Sequence, residues 1–532
     1  MDKRTMLALG LTLAILFIFQ AYFLPKAPQQ TPVQTPSKTE APSKEVAAPA
    51  KDGKAQTSVS TKESAPPAQA TKKATKRFVA ETPFIKVTLD DLGGGISSVQ
   101  LKKYKANVKE TNYKEVVENI KPYTYIPRIS QTISTATSSD EAVYFSADKE
   151  YLNVTNDQAS ITLTGKMADG TSVSKKYTFS PDGYTIGFTA AAQRTGEAGL
   201  SADFAVISDK KESAYVFKGP FLYNNKLKQI DKIDETLDFG KNYTYAGFDE
   251  GFFAFIWIPE SDSKPALSVF KTGTNIPVLR CSAGSASLSG KMYFGPKDSN
   301  VLKGLNIKAE KIIDFGWFDI IAKPLILALK ILNKFTHNYG IDIILLTILI
   351  KLIFHPLSVK SYRSMKKMQD LQPLIKQLRE KYPNDKQKLN QEMMQIYKTR
   401  GINPMGGCLP MIIQIPVFFA LYKGLSGAIE LRHAPFMFWI NDLSAPEDLF
   451  SFTVLGYTLP IRILPLIMGV TQVIQQKMTP TSMDPLQEKM MLFMPIFFTF
   501  LFWGFPSGLV LYWLVNNVIS IGQQYYINKQ VK

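Results

Sequence analysis

Apolar residues in this chain bunch at two places, near the start and in the last third, and between them they alternate with polar ones. The first bunch, over 6–24, is long enough to span a bilayer, which takes about 20 residues. A cleaved signal would carry an apolar stretch of roughly 7–15 residues and end at a small-x-small site. This run is longer and ends in Tyr22-Phe23-Leu24-Pro25-Lys26, so an uncleaved anchor is expected over 1–24. Lys3 and Arg4 before it place the N-terminus in the cytoplasm by the positive-inside rule. From 25 to 77 the chain is Pro, Ala, Lys, Thr, Ser and Gln with almost no large apolar residues. Such a segment cannot repay the entropy of folding and reads as a disordered, outward tether.

Over 78–314 the pattern becomes short period-two runs, such as 84–89, 160–164 and 184–188, punctuated by Gly, Asn and Asp. Alternation of this kind predicts antiparallel strands, and so many runs predict a large outward-facing β-sandwich. Gly93-Gly94-Gly95 reads as a turn, because a phosphate-binding loop needs a following helix. The region contains no histidine, which excludes a Ser-His-Asp site there. Its carboxylates are scattered, so binding a partner or supporting the rest of the chain is the expected role.

The last third is helical. Residues 315–338 mix Trp317, Phe318, Lys323, Lys330 and Lys334 with aliphatic residues, as an amphipathic helix lying in the membrane interface does. Spans are expected at 341–354, 404–425, 460–476, 490–505 and 509–525, with Pro506-Ser507-Gly508 turning between the last two. With the anchor this makes six spans, five of them forming a core bundle within 339–532. Charge agrees with that threading. The loop after Phe354 carries Lys360, Arg363, Lys366, Lys367, Lys376, Arg379, Lys381, Lys386, Lys388, Lys398 and Arg400, whereas 426–459 carries only Arg432. The first loop is therefore cytoplasmic, as is the C-terminus with Lys529 and Lys532. Residues 357–402 read as a cytoplasmic helical hairpin of two helices, broken at Pro383-Asn384-Asp385, with Leu389, Met393, Ile396 and Tyr397 on one face of the second. Its basic face around Lys366, Lys367, Lys376 and Arg379 is either solvated surface or a docking surface for nascent chains, ribosomes or anionic headgroups. The fold class is thus a polytopic α-helical membrane protein with a large antiparallel β-sandwich domain and a helical hairpin.

Bulk composition conceals this organisation: 532 residues, net charge +17, 45% hydrophobic and 20% charged average to a soluble-looking chain. The two cysteines, Cys281 and Cys408, form no disulfide framework or metal site. What stands out is polarity at membrane depth. Lys351 lies in an apolar helix, where a charge near the bilayer centre costs about 2.5–3.5 kcal/mol. Near the inner surface it would instead snorkel to water. Thr347 is one turn away on the same face. Gln414 sits between Pro410 and Pro416; Thr471, Gln472 and Gln475 lie in the fourth span, and Asn516, Asn517 and Ser520 in the last. These groups either join helices by hydrogen bonds or line a wet concavity that opens to the cytoplasm and ends at Lys351.

At these residues the chain resembles the YidC family of membrane protein insertases. The resemblance is carried by His355-Pro356-Leu357, by Gly401-Ile402-Asn403-Pro404 through Cys408-Leu409-Pro410, by Gln414-Ile415-Pro416-Val417-Phe418 and by Phe505-Pro506-Ser507-Gly508-Leu509-Val510-Leu511-Tyr512-Trp513. Tyr293-Phe294-Gly295-Pro296-Lys297 matches the end of the family's β domain. It covers essentially the whole chain and implies a periplasmic β domain in the inner membrane of a Gram-negative bacterium. It further implies a groove closed to the periplasm and open to the cytoplasm and lipid. Lys351 stands where family members usually carry arginine, so the charge is kept and the bidentate fork lost. Thr347, Tyr512 and Trp513 fall at groove positions that face clients, with Trp513 in place of a common tyrosine. Nascent membrane proteins and the lipid bilayer are the expected partners; the ribosome and the Sec translocon are open ones. No cofactor, metal, specific nucleic-acid site or enzymatic chemistry is expected. Two rivals are a secondary transporter, which would need a midplane site and internal repeats, and a polytopic enzyme. The enzyme would need a catalytic pair, and the only histidines are His337, His355 and His433.

Overall fold

The structure is a computed structural model and describes residues 75–117, 124–133, 136–193, 199–205, 217–260, 264–383, 385–402, 409–454, 457–478 and 485–530. The anchor expected over 1–24, nearly all of the tether, and Asn403, Pro404 and Cys408 lie outside them.

Strands between Arg77 and Pro296 form sheets of five, nine and six strands. Alternation is the cause: in Ser172–Phe179, Val173, Lys175, Tyr177 and Phe179 point into the core while the residues between them do not. The expected runs appear as Ile85–Asp90, Ala159–Lys166 and Thr185–Gln193. Neighbouring strands are antiparallel, except that Arg77–Glu81 runs parallel to Tyr151–Asn153. The six- and nine-stranded sheets pack face to face through Phe204, whose ring lies 5.2 Å from Phe255 and 5.0 Å from Trp257. The last strand of this domain ends at Pro296, and Leu302, Ala309 and Ile312 after it pack into the domain's core. Residues 299–312 instead form a short helix α1 (Ser299–Lys303) and a 3-10 turn, because Asp298 caps the amides of Asn300 and Val301 at 2.7 and 3.1 Å.

A buried charge ties the three sheets together. Lys175, fully buried, reaches Asp140 at 2.5 Å and donates to the carbonyls of Gly93 at 2.6 Å and Pro127 at 3.2 Å. Asp140 also accepts from the Tyr125 hydroxyl at 2.7 Å and from the Ile129 amide at 2.9 Å. Burial pulls the Lys175 ammonium below its usual range and Asp140 pushes it back. The triple glycine is the turn expected. Gly93 and Gly94 have φ of +77° and +57°, and a Cβ on Gly93 would meet the Tyr125 ring at 2.0 Å.

The helices that follow are α2 (Asp319–Thr336), α3 (Tyr339–Ile353), α4 (His355–Asp370), α5 (Gln372–Lys381), α6 (Lys386–Thr399), α7 (Leu409–Gly427), α8 (Ile463–Met478), α9 (Pro485–Leu501) and α10 (Ser507–Gln530). α10 packs on α3, α4 and α8, α8 on α9, and α2 on α3 and α7. Among the described residues no single helix is both long and apolar enough to cross a membrane. α3 and α4, bent by 66°, qualify together, and 412–427 and 493–504 are shorter apolar helices.

Two expectations are corrected. Residues 460–476 are not one helix: Pro460 lies in the strand Tyr457–Ile461, paired with Phe450–Val454, and α8 starts at Ile463. The segment expected to be a two-helix hairpin has three helices, with a break at Leu371, where Pro373 in the first turn of the next helix has no N–H to continue the preceding one. α5 and α6 then close on Leu371, Ile375, Tyr397 and Ile402, with Met393 and Ile396 against them; Leu389 is not in that cluster.

Candidate functional site: a polar seam inside the helix bundle

α3 is held at its start. Asn338 caps the amides of Gly340 and Ile341, and the fully buried Asp342 accepts from Asn333 at 2.8 Å and Thr336 at 2.5 Å. This places Thr347 and Lys351 on the face that α10 covers. Lys351 donates to Ser520 on α10 at 2.7 Å, and Ser520 donates to the Asn516 carbonyl at 2.7 Å. The partner of this cation is thus a hydroxyl rather than a carboxylate. Thr347, almost fully buried, bonds its own Ile343 carbonyl at 2.6 Å and does not reach Lys351.

From the other side, Gln414 on α7 donates to the Tyr512 hydroxyl. Trp513 sits in an aromatic cluster, 4.9 Å from Phe418 and 5.1 Å from Phe502. α8 brings Thr471, which accepts from Asn517 at 3.3 Å, with Gln472 and Gln475 half-buried beside it. The predicted groove residues Lys351, Gln414, Tyr512 and Asn516 are therefore joined through α10. Gln472 Oε1, Trp513 Nε1 and Asn516 Oδ1 are buried without a hydrogen-bond partner. Sequence reasoning missed Asp342, Gln523 and Gln524. Asp342 carried a signal, an acid in the first turn of an apolar helix. Gln523 and Gln524 carried one too, continuing the polar face of α10.

The end of the bundle where α3 and α10 begin is closed by the segment after α7. The amides of Ser507 and Gly508 bond the carbonyls of Ala445 and Leu443 at 2.8 and 2.9 Å. Glu447 caps α8 at the Leu464 amide and accepts from the Trp439 indole, both at 2.6 Å; its burial raises the carboxyl above the usual range. The same segment holds the β domain. Arg432 donates to the carbonyls of Lys105 and Ala106 at 2.9 and 3.0 Å, and Ile429 joins the β-domain core.

Of the predicted docking residues, Lys367 and Lys376 are exposed. Lys366 pairs with Asp370 at 3.5 Å, and Arg379 is half-buried.

Two family models match: the YidC periplasmic domain over residues 77–328 and the 60Kd inner membrane protein over residues 331–532. The chain is 39% identical to the membrane protein insertase YidC of Syntrophus aciditrophicus (strain SB), with all of both chains covered. It is 41% identical to that of Citrifermentans bemidjiense, over 86% of each chain. It is 38% identical to that of Geobacter metallireducens, over 100% of this chain and 99% of the relative. A crystal structure of an active YidC insertase with the first transmembrane domain resolved aligns with TM-score 0.40 and 18% identity, over 85% of this chain and 93% of that one. With the β domain and the helical region each matched and the whole length covered by relatives, the chain belongs to the YidC family of membrane protein insertases, inner-membrane proteins with a periplasmic domain and no enzymatic activity.

Proposed function

We propose that the polar seam is a hydrated groove that carries the polar flank of a client protein part of the way across the inner membrane. The client's apolar segment then leaves sideways into lipid. In this reading α3, α7, α8, α9 and α10 are five spans, the segment over 1–24 is a sixth, and α2 lies in the outer interface. Both termini are cytoplasmic, the seam opens to the cytoplasm, and the segment over 428–461 seals it from the periplasm. The basic hairpin, with Lys366, Lys367, Lys376 and Arg379, receives nascent chains and the ribosome, and the groove works alone or beside the Sec translocon.

One observation carries the reading: around an apolar core the bundle exposes many large apolar side chains and buries several polar ones. Leu349, Leu352, Ile415, Ile467, Val470, Phe493, Ile496, Phe500 and Val518 are exposed, while Thr347, Asn516, Asn517, Ser520 and Gln524 are buried. An apolar exterior of that extent suits lipid, not water. Buried polar atoms without protein partners need water or a guest to satisfy them. α2 fits an interfacial position, with Ile320, Leu327, Ile331 and Phe335 exposed along one face and Ala322 and Leu329 buried on the other.

The energetics need no fuel. About 20 apolar residues at −0.3 to −0.6 kcal/mol each give roughly −6 to −12 kcal/mol for entering lipid. The barrier is the polar flank, and a groove shortens its dry path. Lys351 pairs transiently with acidic flank residues, which a potential positive outside also favours by about 2.3 kcal/mol per charge per 100 mV. The test is single cysteines along Thr347, Gln414, Gln472, Gln475, Trp513 and Asn516 in membrane vesicles. Labelling by a water-soluble maleimide from the cytoplasmic side only is expected; a seam that excludes the reagent from both sides would sink the groove.

A further inference from the structure

The seam continues past Lys351. On α10, Asn516, Ser520, Gln523 and Gln524 recur at i, i+4, i+7 and i+8, which keeps them on one face of the helix. The two glutamines are oriented by their amino ends. Gln524 Nε2 donates to the Met478 carbonyl at 2.6 Å, and Gln523 Nε2 lies 3.3 Å from His355 Nδ1. Their carbonyl ends are left over: Oε1 of both, like Oδ1 of Asn516 and Oε1 of Gln472 across the seam on α8, is buried with no partner. Asn516 and Gln524 are 8% and 2% exposed, so bulk water does not satisfy them. Because a backbone carbonyl accepts only from a donor, the Met478 contact fixes which end of Gln524 is free.

We propose that these side chains form a ladder of carbonyl acceptors that binds the backbone N–H groups of an extended client flank, whatever its side chains. The proposal rests on the insertase reading above and deepens it. The spacing fits: the eight residues from Asn516 to Gln524 rise about 12 Å, close to two repeats of the N–H groups on one side of an extended chain, roughly 13.6 Å. A peptide N–H taken out of water without an acceptor costs several kcal/mol in hydrocarbon, and this cost falls on neutral flanks as much as on charged ones. Lys351 serves carboxylates; the ladder serves the main chain.

The experiment uses the full chain in liposomes and two single-span clients. They differ only in a neutral translocated flank: one of glycine, the other of sarcosine throughout, which is N-methylated glycine and has no N–H. Wild-type protein is expected to insert both at similar rates, because the ladder offsets the N–H cost that only the first flank carries. The double variant Asn516→Leu, Gln524→Met is expected to slow the first client at least about threefold more than the second, opening a difference between them. A wild-type rate at least about threefold lower for the first client than for the second overturns the ladder without any variant having to fold, because the N–H cost then stands unmet. Equal slowing of both by the variant overturns it as well. Failure of wild-type protein to insert either client defeats the insertase reading itself and the ladder with it.

Discussion

The β domain buries two cations and the helix bundle half-buries one at Lys351, and they treat them differently. In the β domain Lys175 meets Asp140, and Lys297 meets Asp249 at 2.7 Å; each carboxylate is further hydrogen-bonded to its surroundings. In the bundle Lys351 has only the Ser520 hydroxyl, and the amides around it keep unbonded carbonyls. A satisfied charge fixes a structure, because nothing else is gained by moving it. In the proposed reading, a charge with so few partners is held ready for something that arrives. On that reading the contrast separates scaffold from working surface within one chain, and it is open to direct attack.

The largest effect is expected where a pair is broken. Asp140→Ala strands the fully buried Lys175, and removing one partner of such a pair costs about 3–5 kcal/mol. Urea unfolding of the purified full-length protein, followed by protease sensitivity of the β domain, should register that loss. Asp140→Leu with Lys175→Met recovers only part of it, since the Gly93 and Pro127 carbonyls and the Ile129 amide lose partners too. A loss below about 1 kcal/mol in the single variant, well short of what a stranded buried charge costs, would mean that the knot does not hold the three sheets.

Next comes the seal. A Cβ on Gly340 would sit 2.0 Å from the Phe436 ring, so Gly340→Val must displace the loop that covers the start of α3. Overpacking of this kind costs about 1–3 kcal/mol. The seam is then expected to label from the periplasmic side, where no labelling is expected of the wild type; an unchanged labelling pattern would show that the loop is not the barrier. A smaller effect follows from reversing the charge at Lys351. Lys351→Glu should slow insertion of clients with acidic translocated tails by about tenfold, ~1.4 kcal/mol, relative to neutral ones. Equal slowing would reduce Lys351 to a helix anchor.

These differences also mark what was legible in the chain. Strands such as Ala159–Lys166 were readable because alternation is local, and Lys351 because a charge in an apolar run stands out. Ser520, its partner, lies 169 residues away, and no local pattern announces such a pairing. The order of strands in the sheets is non-local for the same reason. Two local signals were overridden by apolar content. The alternation Tyr457-Thr458-Leu459-Pro460-Ile461 is a strand pattern inside an apolar run, and Pro373 was a break inside a continuous helical period. Asp140 and Lys175 were two unremarkable charges among many until folding placed them 2.5 Å apart.

The smallest expected effect sharpens the comparison most, because it concerns an exception. Gln131, in the strand Arg128–Ile133, is fully buried and neither of its amide atoms has a hydrogen-bond partner. If unbonded amides were a sign of function anywhere in this protein, Gln131 would be as important as Asn516. The scaffold reading says otherwise: here the amide is a plain cost, since a buried polar group without a partner forfeits its hydration. Gln131→Leu keeps the approximate shape and removes the polar atoms, and is expected to stabilise the β domain by about 1 kcal/mol in the same urea titration. Insertion rates in liposomes are expected to stay at the wild-type value, in contrast to the loss expected when Asn516→Leu and Gln524→Met are combined on α10. A drop in insertion with Gln131→Leu would place a working site in the β domain and erase the division between the two regions.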